Sequence, residues 1–325
     1  MTLIGISLGD PAGIGPEVVV RALAQRPAVP AVVYGDPEVL GRAALAAGVP
    51  ALPSHQIIPV TSLAAAHAVP GRPTDLTGQA QLAYLNAATD AALAGRISAL
   101  VTAPISKAWI ARAAFAFPGH TEYLAARAGG VEVAMMLAGP KLRVTVATTH
   151  VALRDVPRLL SPETIASATI LTSAALHDAF GIARPRVAIA GLNPHAGEQG
   201  RFGDEEERLV KPALALARER LAARGLDVDV TGPHVPDAVF RQAALGQFDA
   251  VIALYHDQGL IPVKLLHFDE AVNVTLGLPF VRTSPDHGTA YDIAGRNVAR
   301  PDSFLAALDL AARLTQNASG PITST

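Results

Sequence analysis

Short apolar runs alternate along the chain with longer Ala/Leu-rich stretches at helical spacing. The runs are Leu3–Leu8, Ala31–Tyr34, Ala99–Val101, Leu142–Ala147, Arg186–Ala190 and Ala250–Leu254. The longer stretches include Pro16–Gln25, Gln79–Leu93, Pro162–Phe180, Glu205–Ala223 and Ser303–Leu314. Strand-sized runs followed by helices of this length predict right-handed βαβ crossovers and a mainly parallel sheet covered on both faces. The fold class expected is therefore α/β. No long repeat and no Gly/Ser-rich linker interrupts the pattern, so composition alone marks no domain boundary.

A chain of 325 residues, 50% hydrophobic and 17% charged, is long enough for one large or two medium cores, given domains of roughly 100–200 residues. The formal charge of -2 and pI near 6.5 supply no basic field to draw it onto nucleic acid or anionic lipid. Mean hydropathy is +0.32, but the apolar runs break well before the roughly 20 residues that span a bilayer. No membrane partner is expected. There are no cysteines, which excludes disulfides and thiolate ligands and leaves His, Asp and Glu to hold any metal. The N-terminal LIGISLGD has no secretory pattern, and a cytoplasmic location is expected.

Three of the ten histidines fall just past the end of an apolar run: His150 in LRVTVATTH, His195 in RVAIAGLNPH and His256 in FDAVIALYH. In an open parallel sheet the carboxyl ends of strands face one side, where ligands bind. Three imidazoles with one open position suit a catalytic Zn²⁺. An ordinary loop hydrogen bond would account equally well for any one of them. Asp257, next to His256, reads as an orienting or catalytic carboxylate, or as a solvated loop acid.

The N-terminal GDPAGIGPE, Gly9 to Glu17, follows a strand and opens a helix, but it matches neither GxGxxG nor a P-loop, and Glu17 would repel a phosphate there. TAPISK, Thr102–Lys107, and GHTEYLA, Gly119–Ala125, place small donors at strand-to-helix transitions. His120 and Thr121 could donate to an anion there, or Thr121 could simply cap the helix. Lys264, one of only four lysines, lies between apolar residues and either faces a ligand or snorkels to solvent. Asn273 and Arg282 follow, Arg282 as an anion grip or a structural partner. The glycine-containing segment from Ser284 to Ser303 could border a cofactor or merely connect.

Taken in order, GDPAGIGPE, VTAPISK, FPGHTEYLA, TTHVALRDV, GLNPHAGE, YHDQGLIPVK and VNVTLGLPFVRTSPDHGTAYDIAG resemble the 4-hydroxythreonine-4-phosphate dehydrogenase family from residue 5 to about residue 300. That family is related to the isocitrate and isopropylmalate dehydrogenases, a kinship carried by GIGPE and HGTAYDIAG. The resemblance implies two α/β/α lobes, 1–128 with 283–325 and 129–282, with the active-site cleft between them. It implies a homodimer with active sites at the subunit interface. It also implies His150, His195 and His256 as ligands of one divalent metal, Zn²⁺, Mg²⁺ or Co²⁺. His120, Thr121, Lys264, Asn273 and Arg282 become substrate contacts. Asp286, His287, Gly288 and Asn297 become the NAD or NADP contacts. Asp257, Lys264 and a metal-bound water are the candidate proton acceptors.

The activity implied is NAD(P)-dependent oxidation of 4-phosphooxy-L-threonine at C3 to 2-amino-3-oxo-4-phosphooxybutanoate, then decarboxylation to 3-amino-2-oxopropyl phosphate, in pyridoxal 5'-phosphate biosynthesis. A paralogous 4-phospho-D-threonate or 4-phospho-D-erythronate dehydrogenase of sugar-acid catabolism carries the same motifs. A non-catalytic metal- or phosphate-binding protein is the alternative of another class.

Overall fold

Strand β1 (Ile4–Ser7) begins the first unit, and its residues are buried on both faces, as helices on either side require. The structure is a computed structural model that describes residues 2–317. The described residues divide into two compact units, 2–131 with 278–316 and 132–277.

In the first unit, β1 is followed by α1 (Gly15–Gln25), β2 (Ala31–Gly35), α2 (Pro37–Ala47), β3 (Ile57–Pro59), α3 (Asp75–Leu93), β4 (Ala99–Thr102), α4 (Lys107–Arg112) and α5 (His120–Arg127). Three successive valines, Val18 to Val20, are poor helix formers, yet α1 forms there. Pro16 presets its first turn, and all three valines are buried. Helix α3 begins at Asp75, four residues before the pattern predicted. Thr74 and Thr77 cap its start reciprocally, side chain to backbone.

The second unit contains β5 (Ala134–Ala138), β6 (Arg143–Val146), α6 (Val156–Leu159), α7 (Pro162–Asp178), β7 (Arg186–Ala190), α8 (Lys211–Ala223), β8 (Asp229–His234), α9 (Pro236–Ala244), β9 (Ala250–Ala253), α10 (His256–His267) and β10 (Val272–Leu276). The chain then completes the first unit with β11 (Val281–Pro285) and α11 (Asp302–Asn317). No single helix among the described residues is long and apolar enough to cross a membrane.

The first unit's strands run in the order β3-β2-β1-β4-β11, all parallel. The second unit's order is β10-β5-β6-β9-β7-β8. Its β6, β9, β7 and β8 are parallel, whereas β10, β5 and β6 are antiparallel. The mainly parallel expectation thus holds apart from β5, the strand that runs opposite to both its neighbours. The β5–β6 connection is a tight turn closed by Gly139 N–H to the Leu142 carbonyl, 2.9 Å, and so short a link cannot make a parallel crossover.

The second unit has a core on each face of its sheet. Val187, Ile189, Ala250 and Ile252 pack with α7 and α8 residues such as Ile165 and Ala217. Their strand neighbours Ala188, Ala190, Val251 and Ala253 pack with Val239 of α9 and Leu260 and Val263 of α10. This two-sided burial explains why the runs are apolar without alternation. The expected helix Glu205–Ala223 instead starts with a π-type turn at Glu206–Val210, consistent with Pro212, which lacks a backbone donor at the start of α8.

Candidate functional site

The three strands that precede the three histidines are neighbours and parallel, in the order β6-β9-β7. Their carboxyl ends therefore share one edge. His150 follows β6, His256 opens α10 directly after β9, and His195 lies in a turn after β7. The rings of His150 and His256 are 5.4 Å apart, centroid to centroid. His256 donates from Nδ1 to Asp257 Oδ1 at 2.7 Å, because a carboxylate can only accept. In a neutral imidazole so held, Nε2 is the nitrogen with the lone pair, the tautomer a metal ligand needs. Two adjoining imidazoles, a third on the neighbouring strand end and an orienting carboxylate fit a divalent cation in donor chemistry. His195 stands instead against Phe202, ring centroids 6.1 Å apart, and no three acids or histidines among the described residues gather at ligating distance.

The backbone around His195 is left-handed throughout. His195, Ala196, Glu198 and Gln199 have φ of 54°, 53°, 44° and 59°, with Gly197 at 80° and Gly200 at 90°. Each non-glycine residue so placed costs about 1–2 kcal/mol. Glu206, only 3% exposed, holds the turn. Its Oε1 accepts from the N–H groups of Leu192 (2.8 Å) and Asn193 (2.7 Å), and its Oε2 accepts from the Asn193 amide at 3.0 Å.

Lys264 lies half-buried on α10, and Asn273 lies on β10, where its Oδ1 is buried without a hydrogen-bond partner. Ile261, Lys264, Leu265 and Phe268 follow i, i+3, i+4, i+7 spacing and so share one face. Its apolar members are 65%, 83% and 76% exposed.

The first unit gathers a cationic site. Arg282 of β11, 3% exposed, donates to Thr102 Oγ1 of β4 at 2.7 Å. Burial pushes its guanidinium down to about 10, opposed by the Glu122 carboxylate. Gly119 occupies the cap position of α5, so Thr121 does not cap the helix, and His120 and Thr121 stand in its first turn. Burial, then the charges of Arg282 and Lys107, hold His120 well below its ordinary pKa. The imidazole is neutral, and its buried Nε2 has no hydrogen-bond partner. Two cations converge on a neutral ring at a helix N-terminus, an arrangement that accommodates an anion.

The segment expected to meet the dinucleotide is anchored from α1. Ile14 donates to the Thr289 carbonyl at 3.0 Å, and Glu17 accepts from the Ala299 N–H at 3.1 Å. Arg21 donates to the Asn297 carbonyl at 2.9 Å and to its Oδ1. GDPAGIGPE is therefore a support for this segment. Asp286 N–H bonds Ser303 Oγ at 3.3 Å. His287 bonds the Gly288 carbonyl through Nδ1 at 3.1 Å, and its Nε2 is buried without a hydrogen-bond partner. Asn297 sits at φ 61°, with Oδ1 engaged by Arg21. A side chain at Gly288 would meet nothing within 4 Å, so packing does not require glycine there.

Sequence reading missed Asp10, Gln81, Tyr291, Lys107 and Glu206. Lys107 could have been found, since it closes the TAPISK loop already singled out for anion binding. Asp10, Gln81 and Tyr291 act through partners far away in the chain, and Glu206 sits in an acidic run.

Residues 27–311 match the family described as pyridoxal phosphate biosynthetic protein PdxA. A 4-hydroxythreonine-4-phosphate dehydrogenase from Desulfosudis oleivorans is 50% identical over 337 residues, covering 95% of each chain. The crystal structure of a 4-hydroxythreonine-4-phosphate dehydrogenase from Klebsiella pneumoniae superposes with a TM-score of 0.85 at 40% identity, covering 97% of this chain and 100% of that one. A terephthalate 1,2-cis-dihydrodiol dehydrogenase from Burkholderia xenovorans superposes with a TM-score of 0.70 at 32% identity, covering 96% and 98%. With most of its length matched at this level, the chain belongs to the pyridoxal phosphate biosynthetic protein PdxA family.

Proposed function

We propose that this protein oxidises 4-phosphooxy-L-threonine at C3 with NAD or NADP, giving 2-amino-3-oxo-4-phosphooxybutanoate, which loses CO₂ to yield 3-amino-2-oxopropyl phosphate in pyridoxal 5'-phosphate biosynthesis. The observation that carries the reading is the buried Arg282 beside neutral His120 and Lys107, a receptor suited to phosphate, in a chain of this family.

His150, His195 and His256 are the residues that would hold a divalent metal, and Asp286, His287, Gly288 and Asn297 those that would border the nicotinamide cofactor. When bound, the metal supplies Lewis acidity that eases loss of a hydroxyl proton, and the dinucleotide accepts hydride. The protein's own groups do the rest. Arg282 and Lys107 neutralise the phosphate and fix its position, while His120 and Thr121 donate hydrogen bonds to it. The buried Oδ1 of Asn273 accepts from a substrate N–H or O–H group. Asp257 orients His256, and Asp257 and Lys264 are the candidate proton acceptors.

A homodimer belongs to the same reading. Lys264 stands within the exposed apolar stripe of α10, so a second subunit covering that stripe brings Lys264 to the subunit boundary. Contiguous exposed apolar surface of this kind marks association.

The test is reduction of NAD and NADP by purified protein in metal-defined buffer, with 4-phosphooxy-L-threonine, 4-phospho-D-threonate and 4-phospho-D-erythronate in parallel. Metal-dependent turnover of the amino acid at the highest kcat/KM is expected. Preference for either hydroxy acid reassigns the protein to sugar-acid catabolism, and turnover of none of them overturns the reading.

A further inference from the structure

Asp10 is fully buried and ties together two loops and helix α3. Its Oδ1 accepts the Ala12 N–H at 2.8 Å. Its Oδ2 accepts both the Tyr291 hydroxyl, 2.5 Å, and the Gln81 amide, 3.1 Å. Gln81, also fully buried, is thereby oriented. With its Nε2 on Asp10, its Oε1 meets the Ser106 N–H at 2.8 Å. Ser106 in turn caps α4, whose first residue is Lys107.

The backbone reinforces this arrangement. Asp10 N–H bonds the Pro104 carbonyl at 2.9 Å. Gly9, at φ 70°, lies so close that a side chain there would come within 2.3 Å of the same oxygen. Burial raises the pKa of Asp10, opposed by the Tyr291, Ala12 and Gln81 hydrogen bonds. Burying a carboxylate is costly, and the donors that offset the cost here are neutral groups: Ala12 in the loop after β1, Gln81 on α3 and Tyr291 in the late segment. Only an acceptor without donors can take all three hydrogen bonds at once.

We propose that Asp10 is a positioning residue that sets the Tyr291 segment and Lys107 in register, and through them the affinities for dinucleotide and for phosphate. The identity of those two ligands rests on the functional reading above.

The experiment compares wild type, Asp10→Asn, the double variant Asp10→Asn/Gln81→Glu and Tyr291→Phe. Calorimetry measures NAD, NADP and inorganic phosphate binding, and circular dichroism follows thermal unfolding. Asp10→Asn should weaken both kinds of ligand about tenfold, the scale of one charge-assisted hydrogen bond. An asparagine that keeps the Ala12 bond turns donors toward Gln81 and Tyr291, and Gln81 cannot then serve both neighbours. In the double variant, the carboxylate placed at position 81 accepts from the amide placed at position 10 and from the Ser106 N–H, so phosphate affinity should return. Dinucleotide affinity should stay low, because the Tyr291 hydroxyl has exchanged its charge-assisted bond to a carboxylate for a weaker one with the neutral amide at position 10. Tyr291→Phe should weaken dinucleotide alone.

Unchanged affinities in Asp10→Asn with a lowered Tm would assign the residue to stability and overturn the proposal. So would a double variant that recovers nothing, or a Tyr291→Phe protein that binds dinucleotide as wild type does. Failure of the functional reading looks different. It appears as wild-type protein that binds neither probe, and it takes the proposal with it.

Discussion

The imidazole of His256 lies 5.4 Å from that of His150 and is held from behind by Asp257, 2.7 Å from its Nδ1. The expected consequence is graded loss of metal. His256→Ala and His150→Ala should each abolish tight Zn²⁺ or Co²⁺ binding, while Asp257→Asn should lower affinity about 10–100-fold by releasing the ring. Competition titration against a chelating dye measures this. Wild-type affinity in Asp257→Asn would mean that the carboxylate does not orient the ligand.

Arg282 predicts an anion-dependent stability. Phosphate at a hundred times its Kd should stabilise wild type by about 2.7 kcal/mol, read as a raised urea midpoint. Arg282→Met should remove that shift and raise KM for the phosphorylated substrate. A phosphate shift that survives in Arg282→Met would place the anion elsewhere.

His120 predicts a pH dependence of definite sign. Its pKa is depressed in the folded protein, while the unfolded chain takes up the proton near the ordinary 6.5. As pH falls below 6.5 the unfolded state binds the extra proton, and folded stability is lost until the depressed pKa is reached. The slope from this one group approaches about 1.4 kcal/mol per pH unit. Unfolding free energies of wild type and His120→Asn between pH 7.5 and 5.5 should diverge, with the variant falling less steeply. Parallel curves would contradict the burial of a neutral imidazole.

The exposed stripe on α10 predicts the assembly. Leu265, 83% exposed, makes no core contact that its replacement would break, so Leu265→Glu should leave the fold intact by circular dichroism and shift sedimentation from dimer to monomer. A dimer unaffected by that charge would move the interface away from α10.

The metal-ligand candidates were legible because β6, β9 and β7 are buried on both faces and so read as apolar runs, each ending at a histidine. The late segment and the anion loops were legible as motifs. Asp10, Gln81 and Tyr291 were not, since their hydrogen bonds join residues 71 and 281 positions apart, and local spacing carries no trace of them. Glu206 hides in an acidic run that reads as a solvated face, although its carboxylate is buried. The reversed direction of β5 escaped for a related reason: the chain signals a strand but not its direction, which the short Gly139–Leu142 turn decides.

The left-handed turn from His195 to Gly200 bears on how this protein would respond to selection for heat resistance. Glycine adopts that backbone without strain, so replacing Ala196, Glu198 or Gln199 with glycine is an easy route to a more durable fold. The same change would free the loop to sample other shapes and carry the His195 ring with it. Side chains retained there give up some durability for a histidine that stays where it is put.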